Sequence, residues 1–461
     1  MRQTIRAPWD GRPIGEVELA SEDAAERAIV RAQTAFAAVR AMPSHARRDA
    51  LRKIAKTIAS RSEALAEKIA HEAGKPIVYA RAEVARAVST FDLASEEATR
   101  LEAGLMALDV TPAGEGYTGA WRRVPRGPVL GIAPFNFPLN LVAHKVAPAL
   151  ACGASIVLKP APQTPLSALE LDAIVRESGF PEHALQVLPC DVPVAEKLVR
   201  DDRFATFSFT GSAAVGWHLK SIAGKKRVLL ELGGNAAAIV HEDADLDFAV
   251  KRVTGAAFGY AGQVCIKVQR LYVHEPIADG FVERVVAAAH DLAPSAPMEP
   301  GILSCLIDEK SAVRISSWVD EGKQRGGRAL VDATRDQNKL AAIVLAFEGD
   351  GRGARVVDEE VFGPVLTLHR YARFEDALAM ADATRYGLQA GLFTDSRARV
   401  EMAFDRLHVG GLVVGDAPSF RVDSMPYGGT RDSGLGREGV RFAIEEMTEH
   451  KLLVSRQQAS S

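Results

Sequence analysis

Five junctions along the chain set chemistry-bearing residues beside glycine or proline. In Pro134-Phe135-Asn136-Phe137-Pro138, Asn136 follows an apolar run. At a strand's carboxyl end its amide N–H could reach into a cleft as an oxyanion donor, or the residue could simply cap a turn. Lys159, in Leu158-Lys159-Pro160, ends a second apolar run, where it could meet a phosphate or a ribose hydroxyl or remain an ordinary surface lysine. Gly211-Ser212 opens a helix after a third run, and the free N–H groups of a helix N-terminus attract anions. Trp217-His218 stand where a P-loop needs Lys and Ser/Thr, and there is no G-x-G-x-x-G here. Glu231 precedes Gly233-Gly234, which suits a partly desolvated general base approached closely by backbone, although an incidental turn carboxylate reads equally well locally. Cys265 closes Gly259-Tyr260-Ala261-Gly262-Gln263-Val264-Cys265 and could be a nucleophile if a cation or helix terminus favours its thiolate.

Those residues need a framework to converge. The chain has 461 residues, 47% hydrophobic and 25% charged, enough for about three ordinary domains or two large ones. A net charge of −3 gives no basic excess for nucleic acid. No apolar stretch approaches the ~18 residues of a membrane span, and the first ten residues lack the apolar run of a signal peptide. These features predict a cytoplasmic protein with no membrane or nucleic-acid partner. Cys152, Cys190, Cys265 and Cys305 show no two-residue spacing, so neither a zinc ribbon nor a disulfide framework is expected, and no metal site.

The first hundred residues read mainly as helix, with Ser21 and Ser44 opening two of them and Gly74-Lys75-Pro76 stopping a third. From residue 124 short apolar runs alternate with helices: strands at 129–133, 155–158, 185–188, 204–209 and 227–230, helices at 140–150, 166–178, 195–199 and 212–222. Such alternation predicts βαβ units and a parallel sheet, with ligand at the carboxyl ends of the strands. A second alternating region starts at 236–240, with a long helix at 245–260 and a strand at 270–274, and continues to about residue 430. The two α/β regions divide near Gly233-Gly234, and the tail from Val440 reads as a helix followed by an extended piece at 451–454.

Taken in this order, the motifs resemble those of the NAD(P)-dependent aldehyde dehydrogenase superfamily over nearly the whole chain. The likeness continues through Glu359-Glu360-Val361-Phe362-Gly363-Pro364 and Pro426-Tyr427-Gly428-Gly429, and the Glu231 and Cys265 motifs lie 34 residues apart. The resemblance implies an α/β fold with a Rossmann-like cofactor domain (1–104 and 125–233), an α/β catalytic domain (234–437) and a small β oligomerisation element (105–124 and 438–461) that would build a homodimer or homotetramer. It implies that Cys265 attacks the aldehyde carbon, that Asn136 and the Cys265 N–H hold the oxyanion, and that Glu231 activates water against the resulting thioester. Lys159, Gly211, Ser212, Gly233, Glu360 and Phe362 would bind NAD or NADP, and Phe137, Leu141, His144, Val264 and Ile266 would face the substrate.

Departures from the family pattern bear on specificity. Strict NAD members often carry a Glu three residues after the lysine, and Pro162 stands there instead, so no carboxylate repels a 2′-phosphate; the expectation is NAD(P), leaning to NAD. Succinic semialdehyde enzymes often place Arg six residues before the cysteine, where this chain has Gly259. His144 replaces the Trp of some members with aromatic or long aliphatic substrates. Arg421, in the loop 417–424, is expected at the tunnel mouth, which points to a small polar or anionic aldehyde and the lactaldehyde- and phosphonoacetaldehyde-type members. Broad-specificity oxidation of aliphatic or aromatic aldehydes is the alternative. Coenzyme A acylation, a Cys–His hydrolase and a retired structural protein fit less well, because Glu231, Gly211-Ser212 and Glu360 would then lack a purpose. Whether Lys267 lowers the thiol pKa or faces away is not set by spacing.

Overall fold

The computed structural model describes residues 1–456. The first sheet runs in the order Gly434–Leu435, Arg227–Glu231, Thr206–Thr210, Val129–Ile132, Ile156–Lys159 and Leu185–Val187. Every neighbouring pair is parallel except Gly434–Leu435 against Arg227–Glu231. The strands Val129–Ile132 and Ile156–Lys159 are buried throughout, as the centre of a sheet covered on both faces must be, which is why they read as unbroken apolar runs. The chain leaves Val129–Ile132 first toward Leu185–Val187 and later toward Arg227–Glu231 on its other side. That reversal makes a switch point, and crevices outside the carboxyl ends of strands form there.

The second sheet has seven strands, in the order Arg328–Val331, Ile343–Ala346, Val365–Tyr371, Arg270–His274, Ala237–Val240, Gln389–Phe393 and Gly411–Val414, with only Arg328–Val331 antiparallel. The third joins Thr448–Arg456, Tyr117–Pro125 and Ala103–Ala107 in antiparallel pairs.

Three expectations need correction. Residues 2–6 and 13–18 form an antiparallel hairpin ahead of the first helix, in a stretch read as helical; alternation over so short a span is a faint signal beside the long helices that follow. Residues 434–435, expected with the catalytic domain, return to the first sheet. The helix Val440–Met447, expected in the oligomerisation element, instead buries Val440, Ile444 and Met447 in the core beneath Asn140–Cys152. Only the strand Thr448–Arg456 joins the outlying sheet, and residues 457–461 of that expectation lie outside the described residues.

The helix Asn140–Cys152 is buried at every residue, so its N-terminus cannot be solvated. The Glu83 carboxylate accepts from the N–H groups of Leu139 (2.9 Å) and Asn140 (3.1 Å), a cap supplied from another helix. Gly153, at φ 94°, ends the helix in the left-handed region. This rigid element follows directly on Asn136 and carries Leu141, His144 and Lys145.

Candidate functional site

A cavity of about 390 Å³ opens where the two α/β units face each other, and Asn136, Leu141, Gly211, Ser212, Glu231, Gly233, Cys265, Glu360, Phe362 and Arg421 all line it. Residues spread over nearly three hundred positions thus converge on one space.

Cys265 reaches the cavity through a strained turn. After the helix Leu246–Phe258, Tyr260 (φ 53°), Ala261 (φ 52°) and Gly262 (φ 66°) all adopt left-handed backbone. For the first two this costs on the order of 1–2 kcal/mol each. A Cβ at Gly262 would lie against the Gly363 carbonyl, so only glycine fits. Gln263 pins the turn, accepting from the Ile307 N–H (2.9 Å) and donating to the Cys305 carbonyl (3.2 Å). Asn136 reaches across and donates Nδ2–H to the Gln263 carbonyl (2.9 Å), which occupies one amide proton and leaves the second for another acceptor.

Cys265 is partly exposed, and its apolar surroundings push the thiol up to about 11, against a lowering by Tyr427 and Arg421. Its Sγ lies 3.0 Å from the Tyr427 hydroxyl. Lys267 does not contribute: it is buried facing away, donating to the carbonyls of Val365 (2.7 Å) and Val268 (3.4 Å). Burial lowers Lys267 to about 7, opposed by Glu360.

Glu231 ends the strand Arg227–Glu231, and both its carboxylate oxygens are buried without a hydrogen-bond partner among the described residues. Burial first, then the charge of Glu438, raises its pKa well above the usual carboxyl range. Glu438 goes the other way: burial raises it, but Lys145, His144 and Arg421 outweigh that and leave it at about 2. Lys145 Nζ donates to Glu438 (3.3 Å), Ser208 (3.0 Å) and Thr210 (2.7 Å). Two carboxyls in one charged cluster are therefore pushed in opposite directions, Glu231 toward the neutral form and Glu438 toward the ionised one.

Arg421, expected at the tunnel mouth, lies on the cavity wall with its side chain only 7% exposed. One terminal nitrogen donates to Glu438 (3.2 Å), the guanidinium lies 3.7 Å from the centre of the Tyr427 ring, and Nε has no partner among the described residues. An aromatic face and one carboxylate offset part of the burial cost and leave a donor unused. A Cβ at Gly259 would meet the Tyr79 hydroxyl, so a larger residue there would require Tyr79 to shift.

On the side of the first sheet, Ser212 heads the helix Ala213–Ile222 without a side-chain cap, so the first-turn N–H groups stay available to an anion. A Cβ at Gly233 would collide with the Glu360 carboxylate, which accepts from the Gly234 N–H (3.1 Å). Phe362 holds φ 49°, rare for so bulky a residue, and packs edge-on to Phe135 at 5.9 Å. An open helix terminus, a backbone with no side chain in the way and an acceptor carboxylate fit a phosphate- and ribose-bearing cofactor.

Five expected residues do not reach the cavity wall. Lys159 ends its strand at the carboxyl edge, with Nζ donating to the Pro160 carbonyl (3.2 Å). Phe137 covers Lys75, whose Nζ lies 3.7 Å from the ring centre. The expectation for His144 is corrected most clearly: it is buried, and Nε2 meets Asp423 Oδ1 at 2.7 Å, an acid that Arg86 also holds at 2.6 Å. Val264 and Ile266 pack into a small cluster with Leu388. Alternation beside a nucleophile does not reveal which neighbours turn inward. The sequence motifs include Tyr427 without giving it a role and leave out Glu438 and Lys145, although Lys145 lies one helical turn beyond Leu141.

Away from this site, His241, Glu242 and His274 bring ligand-type atoms within 4.8 Å of one another. The two imidazoles stack at 4.1 Å with planes 19° apart.

The aldehyde dehydrogenase family model matches residues 2–453, and the chain belongs to that family, whose members oxidise aldehydes with NAD(P). It is 39% identical to 3-sulfolactaldehyde dehydrogenase of Priestia megaterium over 445 residues, covering 96% of this chain and 92% of that one. Among solved structures it resembles aldehyde dehydrogenase 21 of Physcomitrella patens, in complex with the reaction product succinate (TM-score 0.97, 39% identity, 100% of this chain and 96% of that one). It also resembles glyceraldehyde-3-phosphate dehydrogenase of Methanocaldococcus jannaschii, complexed with NADP (TM-score 0.93, 34% identity, 98% of each chain). No helix among the described residues is long and apolar enough to cross a membrane.

Proposed function

We propose that this chain oxidises a small aldehyde bearing an anionic group to the carboxylic acid, with Cys265 as nucleophile. The observation that carries the reading is Arg421, a buried cation on the wall shared with Cys265, with Nε unpartnered among the described residues. Arg421 and Cys265 share that wall, so a positive charge stands beside the nucleophile for an anionic group of the substrate to meet. The similar proteins agree in kind: sulfolactaldehyde, succinate and glyceraldehyde-3-phosphate each carry an anion beside the reacting carbon chain.

In this reading the Cys265 thiolate adds to the aldehyde carbon and the carbonyl electron pair moves onto oxygen, giving a thiohemiacetal. The free amide proton of Asn136 and the Cys265 N–H bind that oxyanion. The bound dinucleotide supplies the hydride acceptor. Gly211, Ser212 and Gly233 would hold its phosphates, and Glu360, Phe362 and Lys159 its riboses and ring. Loss of hydride leaves a thioester on Sγ; Glu231 then removes a proton from the water that attacks it, and the acid departs as Sγ recovers its electron pair. Pro162 puts no carboxylate three residues after Lys159, which supports use of NADP beside NAD.

The test is a panel of sulfonated, carboxylated and neutral aldehydes of similar length, assayed with each dinucleotide. Arg421→Ala should raise KM for anionic members roughly 10- to 100-fold, the value of a charge-assisted hydrogen bond, and leave neutral members nearly unchanged. An equal rise for both groups would remove the anionic reading.

The three-stranded outlying sheet serves assembly in this proposal. Leu105 (87% exposed) and Leu453 (65% exposed) leave apolar surface on strands with free edges, a combination suited to pairing with a second copy in a homodimer or homotetramer. Leu453→Glu is expected to lower the mass seen by light scattering; an unchanged mass would place the interface elsewhere.

A further inference from the structure

We propose that the Tyr427 hydroxyl is the hydrogen-bond donor that stabilises the ionised sulfur of Cys265, making Tyr427 a further catalytic residue. The proposal rests on the reading of Cys265 as the nucleophile.

The oxygen of Tyr427 lies 3.0 Å from Sγ, within hydrogen-bond reach of sulfur. Its placement is fixed from three directions. The Tyr427 N–H donates to the Glu438 carbonyl (3.0 Å), and the Glu438 N–H returns a bond to the Tyr427 carbonyl (2.6 Å). The ring is buried in a cluster with Ile266 and Leu388. The Arg421 guanidinium covers the ring face at 3.7 Å. A cation on that face draws electron density from the phenol and makes its O–H a better donor.

The hydroxyl acts as donor and not as base. Burial, together with the neighbouring Cys265, pushes the phenol well above its ordinary value, so it keeps its proton when the thiol gives one up to water in the cavity. The sulfur then carries the charge, and the phenol O–H points at it. A hydrogen bond to an ionised acceptor is roughly twice as strong as one between neutral groups, so the contact favours the thiolate over the thiol. Arg421 acts on the same sulfur through space and through the ring. A residue that reads in the sequence as part of a glycine turn is therefore the one side chain whose polar atom is bonded to the nucleophile among the described residues.

Tyr427→Phe deletes one oxygen and keeps the ring, its cluster and its cation. The measurement is the pH dependence of Cys265 alkylation by iodoacetamide, with Cys265→Ala as the blank for the other thiols. The midpoint is expected to rise by about one unit and alkylation at neutral pH to slow about tenfold, with kcat/KM falling in step, KM little changed and the thermal midpoint held. Identical midpoints and rates in the two proteins would overturn the role. The readings separate: turnover surviving in Cys265→Ala defeats the nucleophile itself, whereas a dead Cys265→Ala beside an unshifted Tyr427→Phe defeats only this proposal.

Discussion

Cys265→Ala is expected to lower aldehyde oxidation by at least ~10⁴-fold while dinucleotide binding stays within a few-fold of the parent protein. Size and specificity both follow from geometry. Removing the atom that forms the covalent bond deletes the path to a thioester, and no other thiol can replace it. Cys152, Cys190 and Cys305 are all buried, and none lines the cavity. The groups that fit the dinucleotide stand on other elements: the turn before Ala213–Ile222, Gly233 and Glu360. The strained turn at 260–262 is held by Gln263 and not by the sulfur, so alanine should leave it intact. Reduced-nicotinamide formation and cofactor titration are the two measurements. Turnover above about 1% of the parent's would mean that the nucleophile is another group.

How much of this could be read in advance differs from residue to residue. The strands of the first sheet were legible because a parallel strand buried on both faces is an unbroken apolar run, and Val129–Ile132 and Ile156–Lys159 are such runs. Asn136, Gly211, Glu231 and Cys265 were legible because each stands at a junction, next to glycine or proline, where the backbone has been bent for a reason. The hairpin of residues 2–6 and 13–18 was not, since its pattern is too short to compete with helical spacing nearby. His144 shows a deeper limit. Its place on the helix Asn140–Cys152 is clear from periodicity, but its partner Asp423 is 279 residues away, and that contact ties it into an interior hydrogen bond off the cavity wall. Arg421, expected at the tunnel mouth, does line the cavity; what local pattern leaves out is its burial, which the arrival of Glu438 and the Tyr427 ring makes tolerable. Long-range electrostatic pairing is what local pattern leaves out.

Glu231→Gln should divide the reaction. Acylation needs Cys265 and Asn136, neither of which bonds to Glu231, so the variant is expected to release about one equivalent of reduced dinucleotide per site and then stall as a thioester. Steady-state turnover should fall roughly 10²- to 10⁴-fold, the usual contribution of a general base. The pH dependence gives the same assignment from another side. Burial, then Glu438, raises the Glu231 pKa, so the carboxyl becomes a base only as pH rises through that raised value. Burial likewise raises the thiol of Cys265, and its active form is also the deprotonated one. Both groups therefore make activity climb toward alkaline pH, and neither supplies a falling limb. In Glu231→Gln the limb belonging to hydrolysis should vanish, while the burst keeps the limb set by the thiol. A variant that hydrolyses its thioester at the parent rate, with the parent's pH profile, would show that water is activated elsewhere. The nearest alternative, Glu438, is ill suited, since Lys145 and Arg421 hold it ionised at about 2 and leave it too weak a base to take a proton from water at neutral pH.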